Sequence, residues 1–403
     1  MAPPLPLHLA VALDGAGWHP AAWRLPEARP RELLTAGYWT DLVAEAERGL
    51  LDFVTIEDSL GPQSSLRDGP DERTDQVRGR LDAVLTAARI APLTGRIGLV
   101  PTATTTHTEP FHVAKALATL DYVSSGRAGW RVQVSARPDE AAHFGRRDIP
   151  QVPYGAADPA LTALFAELFD EAGDFVEVVR RLWDSWEDDA EIRDVATGRF
   201  IDVDKLHYVD FEGSRFRVRG PSITPRPPQG QPLVTALAHA AIPYRLAARA
   251  ADVVYVTPAD ADRARAIVGQ IREQQAAAGR ADQTVHVFAD LVVFLGDSDA
   301  DAAAARERLE EWAAAPYTSD AFVFTGTASG LADLLLAWRE AGLAGFRLRP
   351  AALPGDLRAI TRQLVPELQR RGAFRREYEA DTLRGLLGLP RPANRYATVQ
   401  EHR

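Results

Sequence analysis

The 403-residue sequence predicts an α/β fold, a (β/α)8 TIM barrel with insertions. Three observations lead there. Short β-like runs alternate with longer amphipathic runs along the chain. Eight such β-like runs can be counted. Most of them are apolar on both faces, as strands of a parallel sheet covered on both sides are. The length alone allows two ordinary domains, or one barrel with roughly 150 residues of insertions and tail. The strand count decides for the barrel, so residues 1–403 are read as one domain.

The eight strands are expected at Leu7–Leu13, Asp52–Glu57, Arg96–Pro101, Gly129–Val134, Pro232–Leu237, Asp252–Val256, Thr284–Leu295 and Gly345–Arg349. The first helix follows from Trp39, Leu42, Val43, Ala46 and Leu50, which share one face at helical spacing. The longest runs from Pro159 to Trp186, with Leu161, Leu164, Phe165, Leu168, Ala172, Phe175, Val179 and Leu182 as its stripe. Others lie near 110–123, 240–250, 260–278, 299–314, 328–341 and 355–371. Arg370, Arg371 and Gly372 close the last one. Gly, Pro and polar composition marks loops at 59–76 after strand two and 136–158 after strand four. A small β excursion is read at 187–231, before strand five, and a further insertion after strand seven. Residues 373–403 form a C-terminal arm too thin for its own core, expected to wrap the barrel or a second subunit. A doubly wound dinucleotide fold is the rival, but the first turn, DGAGWHP, lacks the third glycine of that fingerprint.

Composition narrows the chemistry. With 46 Lys plus Arg against 56 Asp plus Glu, the net charge is −10, which argues against a nucleic-acid binder. The absence of cysteine excludes disulfides, thiolate metal sites and a cysteine nucleophile. No HExxH or GxSxG is present, so neither a metal site nor a serine hydrolase is expected. No run approaches the ~18 apolar residues of a membrane span. A cytoplasmic protein without membrane attachment is expected. In a barrel of this kind the active site lies where the strands end. The polar residues placed there are Asp14 and His19, Glu57 to Ser59, Thr102 to His107, and Glu109. Trp130, Arg131, Gln133, Ser135, Thr235, His239, Arg347 and Arg349 complete the set. Glu57, Asp58 and Glu109 leave a carboxylate-pair glycosidase open as a weak alternative.

The stretches GWHPAAWRLP (17–26), LVPTATTTHTEPFHVAKALATLDYVSSGRAGW (99–130), EVVRRLWDSWEDDAEIRD (177–194), FEGSRFRVRGPSITPRPPQGQPL (211–233) and VPELQRRG (365–372) carry a resemblance. They are similar to the bacterial-luciferase-like flavin monooxygenases, in the branch of the nitrilotriacetate, dibenzothiophene-sulfone and long-chain-alkane monooxygenases. The resemblance implies a (β/α)8 barrel, at least dimeric. It implies reduced FMN supplied by a separate NAD(P)H-dependent flavin reductase, and O2 used to oxygenate a small or mid-sized organic substrate. It places Asp58 near the flavin ring and Thr104 where the family usually has Ser. His19 falls in a G-x-H-x-x-A-W-R pattern as the catalytic residue, and Ser135 at the end of the strand-four motif. Arg131 stands where Asn is usual. Ala238 and His239 take the strand-five phosphate positions, beside the next helix N-terminus. His107 and Trp130 are expected in the substrate pocket. Ala136, Leu168-Phe169 and Leu237 also depart from the family's usual residues. These departures keep two alternatives in view: a partner subunit with a degraded flavin site, and a deazaflavin-dependent oxidoreductase.

Overall fold

The computed structural model describes residues 7–66, 69–151 and 159–397. Eight strands, all parallel, close on themselves. In order around the barrel they are β1 (His8–Leu13), β2 (Phe53–Ile56), β3 (Gly98–Thr104), β4 (Gly129–Gln133), β9 (Leu233–Leu237), β10 (Val253–Val256), β11 (His286–Gly296) and β13 (Gly345–Pro350). The segment between β4 and β9 holds two short antiparallel hairpins. One pairs β5 (Glu191–Asp194) with β6 (Arg199–Ile201), the other β7 (Phe211–Glu212) with β8 (Arg217–Val218). That is the excursion the alternating pieces predict.

β11 is the longest strand and serves three neighbours. Its first residues pair with β10, its middle with β13, and its last six with β12 (Phe322–Thr327), which stands outside the closed ring. β12 escaped the sequence reading although AFVFTGT has strand composition. The insertion after strand seven therefore contains both a helix and an extra strand.

The helices are α1 (Ala36–Arg48), α2 (Ala83–Ile90), α3 (Pro110–Val123), α4 (Pro138–Ala142), α5 (Pro159–Asp184), α6 (Ala241–Ala250), α7 (Ala261–Ala277), α8 (Asp299–Ala313) and α9 (Ala328–Arg339). α10 (Gly355–Ala359), a π turn (Ile360–Leu364) and α11 (Val365–Arg370) run on as one helix. The widening precedes Pro366, whose missing N–H leaves the carbonyl four residues back without its usual donor. α1 buries Trp39, Leu42, Val43 and Ala46, the stripe seen in the sequence, and Thr35 caps it at Tyr38 N. α2 was not expected. Its start is held by Asp82, which accepts from Leu85 N, and by Asp58, which accepts from Ala83 N.

The described part of the arm lies across its own barrel floor. α12 (Leu383–Leu386) and the turn after it bring Leu383, Leu387 and Leu389 against Phe53, Leu233, Val253 and Phe288 inside the barrel. Gly98 is needed there, because a Cβ on it would come within 2.5 Å of Leu383 Cδ1. Polar contacts lock the arm. Arg384 sits 3.5 Å from Asp252, and Arg375 donates to the buried carboxylate of Asp52 at 2.5 Å.

Candidate active site

The floor of the barrel is apolar, but the upper interior is charged. Period-two alternation turns Thr55 and Glu57, Arg131, Asp290, Arg347 and Arg349 inward. Arg347 donates to Asp290 (2.8 and 2.5 Å), to Glu57 (3.1 Å) and to Thr55 (3.2 Å). Its guanidinium lies 4.1 Å from the Tyr255 ring centre. Arg349 bridges Asp290 (3.0 Å) to Asp320 (2.7 Å), and Arg131 reaches Glu57 (3.3 Å) and Thr102 (3.2 Å). Three guanidinium groups face three carboxylates. Burial pushes the Glu57 carboxyl up, but Arg131 and Arg347 outweigh it and hold it below its ordinary value. At Asp290, Arg347 and Arg349 do the same. Such a network tolerates burial because every charge is paired.

Above it opens a cavity of about 480 Å³. The loop after β1 supplies Asp14 to Pro20, and β2 and its loop supply Glu57 to Ser59, Gln63 and Arg80. β4 supplies Arg131 and Gln133, and the segment beyond it Arg137 and Glu140. Gly17 makes the first wall possible. It has φ +126, and a Cβ there would sit 2.4 Å from the Ala351 carbonyl oxygen. This close approach sews the loop onto the end of β13, with Trp18 N donating to Pro350 O and His19 N to Ala351 O, both 2.9 Å.

His19 is thereby fixed. Its Nδ1 accepts from Ala21 N at 3.1 Å, which puts the proton of the neutral ring on Nε2. Phe294 and Tyr317 pack against the ring. Burial pulls its pKa down to about 4, with Glu310 raising it and Arg306 lowering it. Its Nε2 finds no hydrogen-bond partner among the described residues. It is not alone. Arg131 Nε, Gln63 Oε1, Gln133 Oε1 and Glu140 Oε2 are also buried, without a partner among the described residues, and on this lining. All five residues line the cavity, while the unpartnered atoms themselves are buried in its wall.

Of the residues expected at the site, His19, Asp58 and Arg131 line the cavity. Asp58 spends its oxygens on Ser59 N (2.8 Å) and Ala83 N (2.9 Å), closing the loop after β2; burial raises its pKa despite these bonds. The others lie elsewhere. Trp130 points outward: because Arg131 faces the interior, its neighbour must pack on Phe175 of α5, and its Nε1 donates to Ala103 O. The substrate-pocket expectation for Trp130 is corrected accordingly. His107, at φ +72, stacks on Phe144 away from the cavity lining. Thr104 borders a separate apolar groove by α2 and α3. Ser135 is consumed by Thr106 Oγ1 and Arg137 N. Ala238 N donates to Tyr255 O, and exposed His239 stands 3.4 Å from Thr257 Oγ1 and 3.9 Å from Asp320. Asp290, Gln63 and Glu140 were missed. A lone acid in the apolar run VFADLVVF marks Asp290, since a buried charge requires a partner. Gln63 sits in a loop and Glu140 in α4, which is too short to carry a periodic mark.

Among the described residues no group of three or more His, Cys, Asp or Glu is placed to hold a metal, and no helix is long and apolar enough to cross a membrane. The family model described as luciferase-like monooxygenase matches residues 17–370. The chain is 31% identical to N-acetyl-S-(2-succino)cysteine monooxygenase of Bacillus subtilis (strain 168), over 97% of this chain and 98% of that protein. It is 30% identical to nitrilotriacetate monooxygenase component A of Aminobacter aminovorans, with the same coverage. Among solved structures, riboflavin lyase with modified FMN and riboflavin superposes with a TM-score of 0.81 at 25% identity, over 95% of this chain and 96% of that one.

Proposed function

This chain belongs to the luciferase-like monooxygenase family, and from that membership we propose that it is the oxygenating component of a two-component system, using reduced FMN and O2 on a small organic substrate. The observation that carries the reading is the polar cavity at the strand ends, lined by His19, Arg80, Arg131, Gln133 and Arg137. A flavin ring presents two carbonyl oxygens and an imide N–H along one edge. Arg131 and His19 on the cavity lining are the residue types that donate to the former, and Gln133 the type that accepts from the latter. Arg80 and Arg137 also line the cavity, each half-buried and paired with an aspartate, Arg80 with Asp14 and Arg137 with Asp139. The similar riboflavin lyase structure, which contains modified FMN, supports the choice of cofactor. The relative named as a component A supports a separate reductase as partner.

Bound reduced flavin supplies the activation of O2. The chain's residues do the rest. Neutral His19 offers an N–H to developing negative charge without a counter-charge to desolvate. The paired Arg131 is fixed by Glu57 and Thr102 in the cavity wall. The loops after β1, β2 and β4 wall the space from water. Anaerobic titration of the protein with reduced FMN, followed by flavin fluorescence on reoxidised controls, tests the reading. Binding with Kd of about 10 µM or tighter is expected. No binding below about 1 mM overturns it.

A further inference from the structure

At the mouth of the barrel three guanidinium groups face three carboxylates. At the other end, where β9, β10 and β11 begin, three guanidinium groups gather around one. Arg180 of α5 reaches Asp252 at 3.0 Å, and Arg384 of the arm stands 3.5 Å from the second oxygen of the same carboxylate. Arg280, from the loop before β11, has no carboxylate partner among the described residues. It donates to Ala248 O (2.8 Å) and Ala251 O (3.1 Å), next to the Ala250 O that accepts from Arg180 at 3.0 Å. Burial lowers the pKa of Arg280, Arg180 and Arg384 lower it further, and Asp252 opposes them only in part.

All three arginines line a cavity of about 610 Å³ between α5, the end of α6 and the arm. Nη1 and Nη2 of Arg180 are engaged by Gln231, Ala250 and Asp252, and Nε and Nη1 of Arg384 by Pro390 and Gln231. Arg180 Nε and Arg384 Nη2 are left without a partner among the described residues, and neither is shut away from solvent. Acids farther along the wall have cations of their own. Glu177 pairs with Arg181 and Arg395, and Asp184 with Arg226 and Arg395, while Asp282 is exposed.

Three positive charges against one negative leave an excess of two, held largely out of water, which is costly until an anion arrives. We infer that this cavity is an anion site and that it takes a phosphate group. At about pH 7 a phosphate carries close to two negative charges, which matches the excess. Its oxygens accept from several forked guanidinium groups at once, whereas a carboxylate brings one charge and two oxygens. Arg384 belongs to the arm and Arg180 and Arg280 to the barrel, so the bound anion ties one to the other. The site lies at the opposite end of the barrel from the cavity assigned to flavin and is independent of that assignment.

The test is calorimetric titration of the full chain with inorganic phosphate, AMP and adenosine, at one ionic strength held with chloride. Phosphate or AMP is expected to bind with Kd of about 1 mM or tighter, and adenosine at least about tenfold more weakly. Tighter binding of AMP makes a nucleotide the source of the phosphate, and tighter binding of inorganic phosphate makes it the free anion; either upholds the site. Arg280→Gln and Arg384→Gln, each of which removes one charge, are expected to weaken the anion at least about tenfold, with FMN affinity within about twofold of wild type. Saturating anion is expected to slow proteolysis within residues 373–397 in the wild-type protein. No anion binding below about 10 mM overturns the assignment. So does binding that survives both substitutions, or phosphate that is displaced by FMN, which places the anion in the other cavity. Should neither variant fold, the wild-type titration and its competition by FMN still decide.

Discussion

At His19 one backbone bond sets the available chemistry. With Nδ1 taken by Ala21 N, Nε2–H is the ring's one donor, and it has no partner among the described residues. Because burial has pulled the pKa to about 4, the ring takes up a proton only near that value. The rate profile is therefore expected to show no histidine limb between about pH 5 and 8, as pH-dependent turnover will report. His19→Ala removes a donor, not a charge. About a tenfold drop in product per O2 consumed is expected, with hydrogen peroxide released in its place. An unchanged coupling ratio makes His19 structural. Arg347 is the opposite kind of residue. Truncating it to Ala strips the bidentate partner from Asp290 and one partner from Glu57, both buried. A loss of about 3–5 kcal/mol is expected in chemical denaturation. The sequence showed Arg131, Arg347 and Arg349 as charges on strands, but their partners depend on register across a closed barrel, which local pattern does not encode. Trp130 shows the same limit. It and Arg131 are both legible as strand residues, and only the direction of one decides the other.

Among the elements, the arm joins chain segments far apart in sequence. Leu387 is fully buried beneath the barrel floor, and Leu387→Ala is expected to cost about 2–5 kcal/mol by thermal or chemical unfolding. Burial pushes Asp252 up, but Arg180 and Arg384 outweigh it and hold its pKa at about 2, below the ordinary 3.8. A lowered carboxylate stabilises the fold above its unfolded value and loses that contribution on protonation. Stability is thus expected to fall between about pH 4 and 2, and less steeply in Arg384→Ala. The strands and long helices were legible because period and composition agree over many residues. α2 is short, and its start depends on Asp58, which arrives from 25 residues earlier. β12 was passed over because it lies outside the alternation of strand and helix that organised everything else.

For the whole molecule, the barrel and the end that holds the site follow from eight apolar runs. What the site holds does not, because Gln63 lies in a loop and Glu140 in the short α4, and the placement of both depends on tertiary contacts. The floor has a further consequence, in the order of synthesis. A ribosome-bound chain that has emerged through α11 already contains all eight barrel strands. Yet Phe53, Leu233, Val253 and Phe288 still lack the leucines that cover them, and Asp52 still lacks Arg375. Arrested nascent chains ending near residue 372 are therefore expected to be digested by protease at concentrations that spare chains ending near 397. For this barrel, the floor is covered only once residues 383–389 have been made, and a chain halted short of them presents an open apolar floor to the quality-control machinery of the cell.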